Sequence, residues 1–272
     1  MRNRLRLLLT ITCVSATLCH SSAQEPTSSA HSLQQWVTIL GIHNNRTDYE
    51  NAQRAIQYVG TNAIPLLLQW IAYDPHRPSD WPPGVAYGDP QQFALANDAV
   101  YAFRTLGPAA APALPGLSNL VAASGCARAI EAMGYIRPDS LPYLIAILTN
   151  GTPRARGSAA LALAGFGTNA RPAVPALILC LTNSVARDCA FKSLAYLNLE
   201  PKLVVPTFTN LATDPTVRET AIRMLGAMGE NARAALPTIT SALNDTNEYV
   251  RWTATNTLQN IAPEMLRNTP GK

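Results

Sequence analysis

Five prolines recur down the chain at a near-constant interval, and this constrains the fold more than any other feature. Pro115, Pro142, Pro175, Pro206 and Pro237 return roughly every 30 residues, a period that is the signature of stacked repeat units. The step from Pro115 to Pro142 is the shortest of the four. Each proline stands eight residues after Gly107, Gly134, Gly167, Asn198 or Gly229. The glycine and asparagine positions read as helix ends, because both residues tolerate a positive φ. Proline then suits the first turn of a second helix, where a missing amide forfeits no intrahelical bond. Each period is expected to be a helical hairpin.

Other columns agree with the prolines. One is small: Ala52, Ala99, Cys126, Ala159, Ala190, Ala221 and Ala254. Four residues on stand Ile56, Phe103, Ile130, Leu163, Leu194, Leu225 and Leu258. Three further come Val59, Leu106, Met133, Phe166, Leu197, Met228 and Ile261. Spacings of four and three put all three columns on one helical face. Thr152-Pro153, Asn183-Ser184 and Asp214-Pro215 pair a capping side chain with first-turn residues, and Asn247 holds the same register. The expectation is an all-α fold, an α-solenoid of about six helical hairpins plus capping helices. Hairpins fall near 48–72, 90–123, 125–148, 153–181, 184–212 and 215–243, with a last helix near 246–261 and a capping helix within 31–41. A hairpin cannot bury its apolar face alone, so the units share one continuous core.

The N-terminal segment 1–23 reads as a secretory signal: Arg2, Arg4 and Arg6 precede an apolar stretch from Leu7 to Leu18, and Ser21-Ser22-Ala23 supplies small residues for cleavage. That stretch is shorter than the roughly 20 residues a bilayer demands. Removing its three arginines takes the formal net charge of +4 to +1, which is no footprint of a nucleic-acid binder. The expectation is an exported protein, periplasmic or secreted, with an N-terminal cap over 24–47, a solenoid over 48–262 and a C-terminal tail over 263–272. Cys126, Cys180 and Cys189 are an odd set, read as helix-interface residues or, for the last two, a bridge between neighbouring helices.

Asp214-Pro215-Thr216-Val217-Arg218, then Ala221, Leu225, Gly229 and Ala235-Leu236-Pro237, resembles the HEAT-repeat family, in the short-unit form named after phycobilisome lyases. Asp245 to Ile261 echoes it. The resemblance implies an armadillo-type, right-handed superhelix. It also implies an acid-to-arginine ladder: Arg156, Arg187, Arg218 and Arg251 keep the arginines, whereas only Asp214 keeps the acid at the cap. The ladder reads as structural, tying adjacent repeats to caps and carbonyls.

One irregularity bears on function. The interval from Pro65 to Pro115 is far longer than the period, and the surplus, residues 73–89, is rich in proline and aromatics. Long insertions in repeat arrays map to one face. Trp70, Tyr73, Trp81, Tyr87 and Phe93 are the candidate binding anchors, since Trp and Tyr dominate binding hot spots. Alternatively the insertion covers the first hairpin, with Trp81 against Trp70. Asp74, His76 and Asp80 make a thin metal-ligand set, so no metal and no cofactor are expected. No HExxH, paired CxxC, GxSxG or phosphate-cradling loop occurs. Two classes follow: a non-catalytic exported scaffold binding a protein or peptide, but not nucleic acid, through the solenoid's concave face or the 73–89 loop; or an enzyme or small-ligand binder using Asp74, His76, Asp80 or Tyr87.

Overall fold

The computed structural model describes residues 31–42, 45–73, 88–181 and 184–267. The signal segment, most of the insertion (74–87, hence Asp74, His76, Asp80, Trp81 and Tyr87) and residues 268–272 lie outside them. Among the described residues there is no strand. A capping helix α1 (Leu33–Ile42) leads into hairpins made by α2 (Arg46–Val59) with α3 (Ile64–Ile71), then α4 (Pro90–Leu106) with α5 (Leu114–Ser124). The third and fourth pair α6 (Ala127–Tyr135) with α7 (Leu141–Asn150) and α8 (Pro153–Leu163) with α9 (Val174–Cys180). The fifth and sixth pair α10 (Ser184–Leu197) with α11 (Pro201–Leu211) and α12 (Arg218–Ala227) with α13 (Leu236–Ala242). α14 (Glu248–Ile261) and α15 (Pro263–Arg267) close the array. The expected tail therefore begins as a helix, for which Pro263 is a suitable first residue.

The columns form the core. Every member of the small column is buried, as is every member of the column four residues on, and only Val59 of the third is partly exposed. First helices pack side by side from α2 through α4, α6, α8, α10, α12 and α14. Buried hydroxyls strap two of these contacts: Ser193 Oγ donates to the Ala160 carbonyl at 2.6 Å and Thr257 Oγ1 to the Ile222 carbonyl at 3.1 Å. Such a bond contributes about 1 kcal/mol net.

Links between the two helices of a hairpin follow one recipe in most units. Gly60, Gly107 and Gly167 sit near φ +55° and ψ −135°, a region nearly closed to residues with a Cβ, and a short 3-10 stretch follows. Pro115, Pro142, Pro175 and Pro237 are each the second residue of the second helix. Two positions differ from expectation. Pro206 is internal to α11, because the link there is only Asn198 to Glu200, both at positive φ, and the helix starts at Pro201. Gly134 is not a turn. It continues α6, and the chain reverses at Ile136 and the cis Arg137–Pro138 bond, with buried Ser140 donating to the Met133 carbonyl at 2.6 Å.

Caps largely follow the residues. Asn45, Asp89, Thr152 and Asn247 each accept a hydrogen bond from a first-turn amide. Asp214 accepts from the Thr216 amide at 2.9 Å, but the regular helix begins only at Arg218, after a turn at 214–217. The sulfurs of Cys126, Cys180 and Cys189 are unbonded to one another; Cys126 and Cys180 donate weakly to the Ile71 and Leu148 carbonyls at 3.6 Å.

Candidate functional site

The arginine column turns backward onto the preceding second helix. Arg156 donates to the Gly151 and Thr149 carbonyls at 2.9 and 2.8 Å, and Arg187 to Leu181 at 2.8 Å. Arg218 reaches the Ala212 and Thr213 carbonyls and forms an ion pair with Asp245 at 2.7 Å; Arg251 donates to the Asp245 and Thr246 carbonyls at 2.7 and 3.0 Å. Carbonyls past a helix end lack intrahelical donors, so these guanidinium groups act as C-terminal caps fastening each hairpin to the next. Asp245 is a second acid of the ladder, which sequence reading missed because it stands two residues before the capping Asn247. Its carboxyl lies below the usual range, held there first by the Asn247 amide and then by Arg218. Asp214 is depressed likewise by the Thr216 amide and hydroxyl, with Arg187 and Arg218 nearby.

The base of the insertion is clamped by a residue that sequence reading passed over. Arg128 donates to the Tyr73 carbonyl and, at 3.3 Å, to Asn97 Oδ1, and its guanidinium lies 5.4 Å from the Phe93 ring centre. The Asp89 amide donates to the Tyr73 hydroxyl at 2.7 Å, so residues 73 and 89 are joined. Tyr73 and Phe93 thus meet around Arg128. Trp70 is half-buried against the core, and Phe93 is 46% exposed. The other two anchors, Trp81 and Tyr87, lie outside the described residues.

Beside this base, a cleft of about 410 Å³ runs between α6 and α8. A second hollow next to it has its cause in a shortened helix. α2, α8, α10 and α14 begin six residues before their small-column residue, whereas α6 begins one residue after Cys126. Gly125, left-handed at φ 66°, ends α5 immediately before it. The first turn of α8 therefore lacks a full partner and leaves a hollow beside Arg154, whereas the cleft itself runs along turns that both helices have. Ala127, Gly134, Ser158, Ala162 and Gly165 make a floor of small residues, and Leu161 stands over it, 51% exposed. Tyr135 lies in the wall, hydrogen-bonded to Glu131; partial burial and that carboxylate hold its phenol above the ordinary value, while Arg104 acts oppositely. Arg104 lies over the Tyr135 ring at 5.8 Å, and Arg137 over the Phe166 ring at 5.8 Å. Ala127 also lines the hollow holding Arg128 and Arg154, so cleft and insertion base form one surface.

What this surface can do is bind. It offers an apolar slot of side-chain dimensions, a phenol and cationic edges. Among the described residues, no group of three or more His, Cys, Asp or Glu side chains is placed to hold a metal ion. No described helix is long and apolar enough to cross a membrane.

A family description of HEAT repeats matches residues 201–267, and one of PBS lyase HEAT-like repeats matches 155–183. These stretches are HEAT repeats. The chain is similar to a designed armadillo repeat protein solved in complex with the peptide (KR)4, at 15% identity and a TM-score of 0.40, over 84% of this chain and 99% of that one. It is also similar to the complex of CpcE and CpcF of phycocyanin lyase from Nostoc sp. PCC7120, at 17% identity and a TM-score of 0.35, over 93% of this chain and 94% of that one. No curated protein matches the chain significantly.

Proposed function

We propose that this HEAT-repeat protein is an exported, non-catalytic scaffold that holds a protein or peptide segment in the α6–α8 cleft and against the base of the 73–89 insertion. The observation that carries the reading is the cleft itself, a groove between α6 and α8 lined by small residues and by the exposed Leu161. An extended segment inserting one apolar side chain suits such a slot, because small floor residues let a foreign backbone approach closely. Export rests on the signal pattern of residues 1–23. Intact-mass measurement of the protein from its native compartment tests that part, and an uncleaved N-terminus there would remove it.

The binding part is tested by filling the slot. Ala127 is exposed at the start of α6, so Ala127→Trp adds bulk over the cleft without disturbing the core. Crosslinking capture from the exported fraction should yield a partner with the wild-type chain and lose it with Ala127→Trp at unchanged helicity. A partner captured equally by both chains would sink the cleft as the binding site. Turnover by the purified protein of any substrate whose loss follows Ala127→Trp would replace scaffold by enzyme.

A further inference from the structure

Most of the described arginines away from the cleft are engaged by the chain itself. Arg46, Arg171, Arg218, Arg223 and Arg233 each pair with a carboxylate, and Arg54, Arg156, Arg187 and Arg251 donate to backbone carbonyls. Around the cleft the pattern changes. Arg104 and Arg137 lie over the Tyr135 and Phe166 rings, both are exposed, and neither pairs with a carboxylate among the described residues; nor does exposed Arg154 beside them. Arg128 spends its bonds on the neutral Tyr73 carbonyl and Asn97. The composition of this stretch is lopsided: between residues 100 and 180 there are six arginines and only two acids, Glu131 and Asp139, and no lysine. Glu131, the acid that lines the cleft, is engaged by the Tyr135 hydroxyl.

Resting on the binding role just proposed, we infer that the segment held here is acidic: an extended peptide whose apolar side chain enters the cleft while flanking carboxylates are taken by Arg104 and Arg137. A guanidinium placed over an aromatic ring and paired with no carboxylate keeps its N–H donors for a bidentate carboxylate, at reduced cost in side-chain entropy. This position also puts the two forks over the side chains that border the cleft, Tyr135 in its wall and Phe166 next to Gly165 in its floor. Charge complementarity of this kind sets partner choice and encounter rate. The apolar slot between the charges, with Leu161 above it, favours a peptide over a nucleic acid, which would call for a continuous basic track and stacking platforms.

The probe is a short fluorescein-labelled peptide of repeating Glu-Leu-Gly units, titrated into the full chain and read by polarisation. Its counterpart with Lys for Glu and an oligo(dT) of similar length serve as comparisons. The wild-type protein should bind the acidic peptide at least about tenfold more tightly than either. Binding should weaken as salt is raised, since exposed charges are screened over about 8 Å at physiological ionic strength. Arg104→Gln with Arg137→Gln should lose about tenfold in affinity, whereas Arg223→Gln, from the paired group, should change nothing. Arg104→Glu with Arg137→Glu should exchange the preference toward the lysine peptide, a gain that misfolding cannot mimic. Equal binding of both peptides, tighter binding of oligo(dT), or indifference to the arginine changes overturns the inference. If Ala127→Trp still abolishes partner capture in that event, the cleft stands as the site and only the acidic preference falls.

Discussion

The third and sixth hairpins solve the same folding problem with different parts. The sixth uses the common link: Gly229 at φ 59°, a 3-10 stretch to Ala235, and Pro237 at the head of α13. Its first helix then receives α14 with Thr257 resting on Gly226, five residues past Ala221. The third hairpin keeps the same column residues, Cys126, Ile130, Met133, Gly134 and Pro142, yet Gly134 is helical and the link is compressed. There α8 rests Ala162 on Gly134, eight residues past Cys126. The packing register has moved by three residues, roughly 4.5 Å along the helix. Where the sixth hairpin meets α14 through a hydroxyl strap, the third meets α8 through bare methyl and glycine contacts, and the cleft opens beside them. A repeat array tolerates this because each unit contacts only its neighbours, so a local slip stays local without unravelling the rest.

The largest effect on this comparison comes from the shared core column. Leu225 is fully buried in α12, and Leu225→Ala should cost about 2–5 kcal/mol in chemical denaturation. Ile130 is equally buried in α6, so Ile130→Ala should fall in the same range. A cost below about 1 kcal/mol at either site would mean that its hairpin is not seated on the column at all.

Next come the glycines that make the links. Gly167 has nothing within 4 Å of where a Cβ would stand, yet its φ of 55° and ψ of −136° exclude one. Gly167→Ala should therefore cost about 1–3 kcal/mol from backbone strain alone. A neutral result would show that the link relaxes freely and that the recipe is not what fixes the hairpin. Smaller still is the strap: Ser193→Ala removes the bond to the Ala160 carbonyl and should cost about 1 kcal/mol. A loss near zero would mean that methyl contacts alone hold first helices together.

How much of this was legible follows from the kind of signal each part leaves. The columns were readable because burial imposes period and residue type together, and Ala159, Leu163 and Phe166 could hardly serve elsewhere. The arginine ladder was readable as a column, but Asp245 was not, since its partner Arg218 lies almost a whole unit earlier in the chain and only the stacking brings them together. Gly134 misled because the same residue type serves a positive φ and a close helix approach, and sequence spacing alone does not separate the two. The cleft left no motif, being lined by small residues of two helices that only the stacking brings together. The shortening of α6 did leave a trace in the proline column, where Pro115 and Pro142 lie closer together than any other successive pair. Arg128 was overlooked because its role depends on the carbonyl of Tyr73, 55 residues before it.

Acid distinguishes the two hairpins by charge rather than packing. Asp245 and Asp214 have carboxyls depressed in the folded protein, so each contributes stability that is present above the unfolded value of about 3.9 and lost as pH falls through the lower folded value. The third hairpin has no such acid in its ladder position. Melting temperature should fall between pH 5 and pH 3 in the wild type and fall less in Asp245→Asn, because that variant has already given up the pH-dependent part. Parallel curves for the two proteins would mean that the Arg218 pair is too well solvated to matter.

The smallest effect is the sharpest test of the register slip. Gly134→Ala involves a residue whose column mates in most other hairpins adopt positive φ, so a reading from sequence alone expects the strain found at Gly167. In the structure Gly134 is helical, and alanine there should gain up to about 1 kcal/mol of helix propensity. Against that gain, its methyl would stand 3.2 Å from the Ala162 Cβ, close enough that α8 must yield slightly. The two effects oppose, and the net change should stay within about 0.5 kcal/mol of wild type. Ala162→Gly added to Gly134→Ala should relieve the contact, which no second substitution could do for a strained backbone at Gly167. A cost above about 1 kcal/mol that Ala162→Gly leaves in place would return Gly134 to the role of a turn and would remove the slip.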